Sequence, residues 1–377
     1  MRALRRLVGT VLKLVLGVVA LVLAVLLVFG FKAWSEAYPN ERRLAAISRG
    51  FISGAYHVHS LASDGRGTEE EIAEAARAAG LSFVVLTDHN VAPSPPRFVS
   101  GVLLVHAVEL STQHGHLVAL SLPRALTTEE RNTAPVEVAN ALGAQLFLAH
   151  PVQEKNPWRS WEPLPEVAGL ELYSADTMLR DALAAPITRL VPAAGAYLTN
   201  TTHALYSLVG EQPETTRRLL QLGGERPGVA LCAHDAHGLP DYEEVFRALA
   251  MYLPTPDGFV LPEDPVQAER WVLQTLTSGR AVCGFRALGD PEGFRIDGLT
   301  GGARTVGTDV RLRVIPPRNT PDSVKVQVSG SGELVDKWTV RTTGPGVVHI
   351  ELWRRAPGRF LGSEWKPWIV PSPVRVQ

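Results

Sequence analysis

The sequence predicts an α/β chain in three parts: a membrane-spanning N-terminal helix, a β/α barrel that is closed or distorted, and a small antiparallel β-sandwich. Three observations carry that prediction. Residues 14–31 contain no charge and are rich in Leu and Val, which suffices to span a bilayer. From about residue 52 to 287, some seven buried-strand patterns alternate with helical ones, implying a parallel sheet with crossover helices. Around residue 288 Gly, Pro, Thr and Ser rise, helical spacing ends, and short alternating strands follow. The boundaries fall at 1–36, 37–287 and 288–377.

Arg2, Arg5, Arg6 and Lys13 precede or open the apolar stretch. The positive-inside rule therefore keeps the N-terminus cytoplasmic and exports the rest. A single-pass signal anchor in the cytoplasmic membrane is expected, with the catalytic part periplasmic or at the cell surface. A cleaved signal peptide is the alternative, although Lys32 and Trp34 intrude where a cleavage site would stand. Of the formal net charge of −1, residues 1–36 hold five cations against Glu36, so the remainder carries −5. A mildly acidic body argues against a nucleic-acid partner. Cys232 and Cys283 each sit in an apolar strand-like run. Two buried free thiols are the first expectation, with one disulfide as the alternative outside the cytoplasm.

After a short tether at 37–54, with Arg42 and Arg43, a strand ends in His57-Val58-His59. Residues i and i+2 of a strand share a face, so two imidazoles converge. Asp64 follows in a Ser-Asp-Gly turn, and Thr68 to Glu71 reads as a capping box for a helix stopped at Gly80. Strand 83–87 delivers Asp88 and His89, and a strand from Val102 runs on to Glu109. His114 and His116 open a strand at 117–122; a helix at 135–142 and strand 145–149 lead to His150-Pro151. Strand 169–173 is followed by helices at 178–190 and 213–222. Strand 229–233 ends in His234-Asp235-Ala-His237, before helices at 242–253 and 265–277 and a strand at 281–285. Alternating strands are read at 310–314, 324–328, 338–342, 347–353 and 374–376, immunoglobulin-like in general style.

A lone His-x-His or Thr-Asp-His is common and carries little. Nine N/O donors recurring at strand ends are another matter: His57, His59, Asp64, His89, Glu109, His116, His150, Asp235 and His237. Imidazole and carboxylate without thiolate suit Zn, Mn or Fe, and the number exceeds what one ion uses. Glu109 is the candidate bridging carboxylate. His234 reads as a hydrogen-bond partner, and Asp88 as a group that orients a ligand or caps its strand. For anionic substrate contacts, the candidates are Lys155, Arg159, Arg180 and His203, all in loops or helix starts near the strand ends.

On these residues the chain resembles the PHP (polymerase and histidinol phosphatase) family of metal-dependent phosphoesterases, above all its membrane-linked branch similar to carbaryl hydrolase-like proteins. The matching positions are His57 and His59, Asp64, His89, Glu109, His150-Pro151, and Asp235 with His237. The resemblance spans about 52–287, and the C-terminal strands are similar to a small β domain of that branch. It implies a distorted (β/α)7 barrel with two or three divalent ions. One ion would take His57, His59, Glu109 and Asp235; a second would share Glu109 and take His116 and His150; a third would take Asp64, His89 and His237. His114 is the alternative to His116. His57, His59, Asp235 and His237 would form the catalytic set.

The activity this implies is phosphoester hydrolysis, on a phosphomonoester or small phosphodiester, by a metal-bound hydroxide. Carboxyl-ester or carbamate hydrolysis is the rival within enzymes. A silent membrane scaffold or sensor is the rival outside them, and the complete donor set argues against it.

Overall fold

The computed structural model describes residues 2–35, 50–161, 165–222, 227–299, 305–318, 320, 323–357 and 363–377. Most of the expected tether, with Arg42 and Arg43, lies outside the described residues. Helix α1 (Arg2–Ser35) is followed by β1 (Phe51–Val58), α2 (Glu69–Ala78), β2 (Phe83–Leu86), β3 (Arg97–Val99) and β4 (Val102–His106). Next come β5 (Val108–Thr112), β6 (Gly115–Leu120), α3 (Thr128–Thr133), α4 (Pro135–Ala141), β7 (Gln145–Leu148) and β8 (Val167–Ser174). Helices α5 (Ala175–Ala184), α6 (Val191–Tyr197), α7 (Thr201–Ser207) and α8 (Pro213–Gln221) form a block, with a π turn at Pro186–Leu190. Then β9 (Val229–Ala233), α9 (Tyr242–Ala248), β10 (Leu249–Pro254), α10 (Pro265–Thr277) and β11 (Val282–Phe285) complete the central region.

The closed, parallel barrel is not what forms. One sheet runs β3-β4-β2-β1-β10-β11 and on into C-terminal strands; another runs β5-β6-β7-β8-β9. They meet along a junction that includes two isolated bridges, Val58 with Ala236 and His89 with Glu109, and backbone hydrogen bonds such as His234 N–H to the Tyr56 carbonyl. Antiparallel pairs β1–β10, β5–β6 and β6–β7 interrupt the parallel order. For β5 and β6 the reason is connection length, since a two-residue turn cannot hold a crossover helix.

The helix expected over 242–253 stops at Ala248, and Leu249–Pro254 becomes a strand. Its apolar residues are buried and it pairs with both β1 and β11, so sheet pairing outweighs local helical pattern. The cysteines are not free: Cys232 on β9 and Cys283 on β11 form a disulfide with a Cα–Cα distance of 5.8 Å. That overturns the free-thiol expectation, because both strands lie close enough across the sheet junction for the bond.

The capping box forms as expected, with Thr68 and Glu71 satisfying each other's backbone N–H groups. The core is filled by Tyr56, Phe83, Phe147, Phe246 and Tyr252 from these sheets and α9.

After residue 288 the strands are β12 (Arg295–Asp297), β13 (Thr305–Val306), β14 (Arg311–Ile315), β15 (Val324–Gly330) and β16 (Gly332–Asp336). They continue with β17 (Thr339–Thr342), β18 (Gly346–Pro357), β19 (Ser363–Pro371) and β20 (Val374–Val376). A four-stranded sheet takes the order β12-β14-β17-β16, while β19 pairs with β11 and so joins the C-terminal strands to the large sheet.

Candidate metal centre

Backbone irregularity aims the histidines. The pairing of β1 with β2 skips a residue between Tyr56 and Val58, leaving His57 bulged at φ +65°. A bulge of this kind re-aims a side chain. The rings of His57 and His59 therefore converge through a bulge, not through the plain alternation of a strand. His150 (φ +29°) and Asp235 (φ +47°) also take left-handed backbone, where non-glycine residues are uncommon. Such conformations persist where surrounding contacts fix them, often at functional sites.

The turn bearing Asp64 is clamped close to β1. A Cβ on Gly65 would lie 2.2 Å from the His59 carbonyl oxygen. The Tyr242 hydroxyl donates to that same oxygen at 2.8 Å and accepts the Arg66 and Gly67 N–H groups. One phenol thus ties the turn, β1 and α9 together.

Glu109 lies at the middle of the cluster and is buried. Its Oε1 is 2.7 Å from His116 Nδ1 and 3.0 Å from His150 Nε2. Its Oε2 is 3.1 Å from His57 Nε2, 3.2 Å from His59 Nε2 and 3.4 Å from His89 Nδ1. Asp235 Oδ1 stands 3.5 Å from Nε2 of both His57 and His59. Asp64, half exposed, closes the outer side at 3.6 Å from His59 Nδ1, 3.7 Å from His89 Nε2 and 3.4 Å from His237 Nε2.

All nine predicted donors are brought together. Four groups have mutually close donor atoms: His59, Asp64, His89 and His237; His57, His150 and Asp235; His57, His59 and Glu109; His89, Glu109 and His116. His116 meets Glu109, whereas His114 turns toward the Trp158 ring.

This arrangement fits divalent cations. Donors about 2.1 Å from a tetrahedral ion lie about 3.4 Å apart, and the close separations here run from 2.7 Å for His116 Nδ1 to Glu109 Oε1 up to 3.8 Å for His237 Nδ1 to Asp235 Oδ1. Among the described residues, Asp64, Glu109, Glu171 and Asp235 form ion pairs only with imidazoles, never with Lys or Arg. Four carboxylates without a fixed cation leave a negative site that positive charge would complete.

The titration behaviour reflects this field. Burial opposes protonation of His57, but Glu171, Glu109 and Asp235 outweigh it and raise its pKa well above the usual range. Burial also opposes protonation of His150, which hydrogen bonding to Glu109 together with the charges of Asp235, Glu109 and Glu171 more than offsets, raising its pKa. For Glu109, burial works to raise the pKa, yet His57, His116 and His150 hold it well below the ordinary carboxylate value.

Sequence reasoning passed over Glu171, an acid inside the apolar strand β8. Its Oε1 lies 2.6 Å from His57 Nδ1, and its Oε2 accepts the His150 N–H at 2.8 Å. A lone carboxylate in a buried strand was the available signal. Asp88 accepts from the Ser60 N–H and the Ser60 and Ser63 hydroxyls at 2.6–2.8 Å, which fastens the start of the Asp64 turn. His234 faces backbone instead: Nε2 lies 2.8 Å from the Leu249 carbonyl, and Nδ1 accepts the Tyr56 N–H at 3.2 Å. Burial lowers its pKa to about 4, so it joins β9, β1 and β10 as a neutral ring.

A cavity of about 310 Å³ opens beside Asp64, Asp235 and His237. Arg180 lines it and pairs with Asp176; Arg66, which sequence reasoning did not single out, lines it too. Lys155, Arg159 and His203 are not in its wall. Lys155 is exposed, and Arg159 donates to the Gln113 carbonyl at 3.1 Å on the β5–β6 turn. His203 is buried in α7, its pKa lowered to about 4 by burial and by the charges of Lys32 and Lys366.

No family model matches the chain, and no curated protein does. Among solved structures, it is similar to a Bacteroides vulgatus two-domain protein containing a predicted PHP-like metal-dependent phosphoesterase. That likeness has 14% identity and a TM-score of 0.42, covering 86% of this chain and 96% of the other. It is also similar to a Bifidobacterium adolescentis protein provisionally described as a metal-dependent phosphoesterase. Here identity is 14% and the TM-score 0.31, covering 59% of this chain and 95% of the other.

Proposed function

We propose that the chain is a membrane-anchored, extracytoplasmic metal-dependent phosphoesterase of the PHP type, in the branch similar to carbaryl hydrolase-like proteins. It acts on a phosphomonoester or small phosphodiester and uses two or three divalent ions, Zn, Mn or Fe. The observation that carries the reading is Glu109, whose two oxygens face separate imidazole sets, His116 and His150 on one side, His57, His59 and His89 on the other. That is what a carboxylate shared between ions requires.

Bound ions of this class supply a water-derived nucleophile at neutral pH and positive charge beside the phosphoryl oxygens. The chain's own residues do the rest. Glu171 fixes the ring of His57 through Nδ1, leaving Nε2 as the donor facing the cluster. Arg180, on the cavity wall, offers a guanidinium to a substrate anion. His237, a quarter exposed beside Asp64, would complete the outer donor group with Asp64 and His89 where the cavity opens onto the cluster.

The apolar part of α1 is long enough to cross a membrane: within Arg6–Ser35 an 18-residue window reaches a mean hydropathy of 3.1. Basic residues on its N-terminal side support an outside location for the site. The Cys232–Cys283 disulfide supports the same placement, because such bonds persist in oxidising compartments.

The test is hydrolysis by the detergent-solubilised full chain loaded with Mn or Zn. A panel of phosphomonoesters and diesters is run beside aryl carboxyl esters and carbamates. Phosphoester turnover that chelation removes is the expected result. Turnover of only the carboxyl or carbamate esters would transfer the reading to that chemistry, and no turnover on a metal-replete protein would leave the scaffold.

A further inference from the structure

The cavity beside the metal centre has a mixed lining. Asp64, Arg66, Arg180, Asp235 and His237 supply charged and polar groups. Apolar surface comes from Met178 and Leu179 of α5, Leu205 of α7, Leu208 just beyond it, and Leu239. A small, fully polar phosphoester gains nothing from such a wall.

Helix α7 connects this wall to the membrane-spanning helix. Ala204 of α7, Ala196 of α6 and Ala33 of α1 form one buried cluster. Around it the helices approach closely at small residues. A Cβ on Gly195 would lie 2.7 Å from Phe29 and 2.8 Å from the Leu26 carbonyl, and one on Gly30 would lie 3.0 Å from the Gly195 carbonyl. The Thr199 hydroxyl donates to the Gly30 carbonyl at 2.7 Å. Close approach through Gly, Ala and Thr is how helices associate in a bilayer. The last turns of the span therefore hold α6 and α7 at the membrane boundary, and Leu205, next to Ala204, faces the cavity. Leu183, Ile187 and Leu198, on α5, the π turn and the end of α6, are exposed at 58–76%, as suits a surface that meets lipid.

We propose that the substrate is a membrane-borne aliphatic phosphoester, its phosphate at the metal cluster and the start of its chain against Leu179, Leu205 and Leu208. This rests on the phosphoesterase reading and adds the substrate class. The cavity would be the entry for the headgroup, and the helices that wall it would lie against the bilayer from which the chain comes.

The experiment measures binding of alkylphosphonates of increasing chain length, below their micellar concentrations, to the metal-loaded full chain, for wild type and the double variant Leu179→Gln, Leu239→Gln. Affinity should rise about tenfold for each pair of methylenes that enters the cavity. In the double variant, with unchanged metal content, that gradient should collapse. Equal affinity for methyl- and longer-chain phosphonates in the wild type would overturn the proposal. A second arm compares hydrolysis of a lipid phosphomonoester in nanodiscs carrying the protein with that of its water-soluble short-chain counterpart. Preference for the nanodisc lipid supports a membrane source. Preference for the soluble ester overturns it. A chain-length gradient in binding with no hydrolysis of either ester would instead count against the phosphoesterase reading alone.

Discussion

Glu171 Oε1 sits 2.6 Å from Nδ1 of His57, on the ring edge opposite the Nε2 that faces His59 and Glu109. The same carboxylate accepts the backbone N–H of His150 through its other oxygen. One buried acid thus orients two candidate ligands at once. Removing its charge while keeping its shape, Glu171→Gln, should weaken metal binding by about 10–100-fold. Titration calorimetry with Mn or Zn checks this, and an unchanged affinity would make Glu171 a packing group.

Glu109 should be less forgiving. Glu109→Gln leaves a neutral amide amid five imidazoles and removes the shared donor. Metal stoichiometry should fall by at least one ion, and phosphoester turnover should be lost, as read by plasma mass spectrometry and a chromogenic assay.

The pH dependence of the metal-free protein has a defined sign. Burial disfavours the charged form of His59, but hydrogen bonds to Asp235 and Glu109 outweigh it and raise its pKa to about 9. A folded pKa above the unfolded value of about 6.5 contributes stability that is fully present below pH ~6.5 and lost as pH rises through about 9. Metal must displace that proton, so affinity grows across the same window. The metal-free Tm should decline from pH 6.5 to 9 while the Tm increment from added Zn or Mn widens. An increment that does not change with pH would contradict protonated ligands.

The disulfide closes a loop with a sequence separation of 51, which in the chain-entropy account stabilises by about 4 kcal/mol. Reductant, or Cys283→Ala, should lower the denaturation midpoint accordingly. Because β9 delivers Asp235 and His237, metal retention should fall in parallel.

Much of the site was legible because its chemistry sits where strands end. Strand Val229–Ala233 and helix Pro265–Thr277 appear with the bounds their patterns imply, and the nine donors stand within strands, as His57, Glu109 and His116 do, or in the loops that follow strand ends. What was not legible depended on distant pairing. Leu249–Pro254 carries an apolar run compatible with α9 continuing, and only its neighbours β1 and β11 make it a strand. Glu171 looks like an isolated acid until β8 is laid beside β7 and β9, bringing it to His57 from 114 residues away. The cysteines read as separate apolar positions until their strands are brought together. Short helices such as Val191–Tyr197 and Thr201–Ser207 gain their stability from packing on α1 and α9, which local periodicity does not record.

The most direct test of the account is metal content per chain, measured by plasma mass spectrometry on the detergent-solubilised full-length protein after loading with Mn or Zn and desalting. A His57→Ala, Asp235→Ala double variant of matched thermal stability is measured beside it. The account predicts about two to three equivalents in the wild type and a loss of at least one in the variant. Less than about half an equivalent in the reloaded wild type, or equal content in both proteins, would contradict a polynuclear metal centre at Glu109 and with it the hydrolase built upon it.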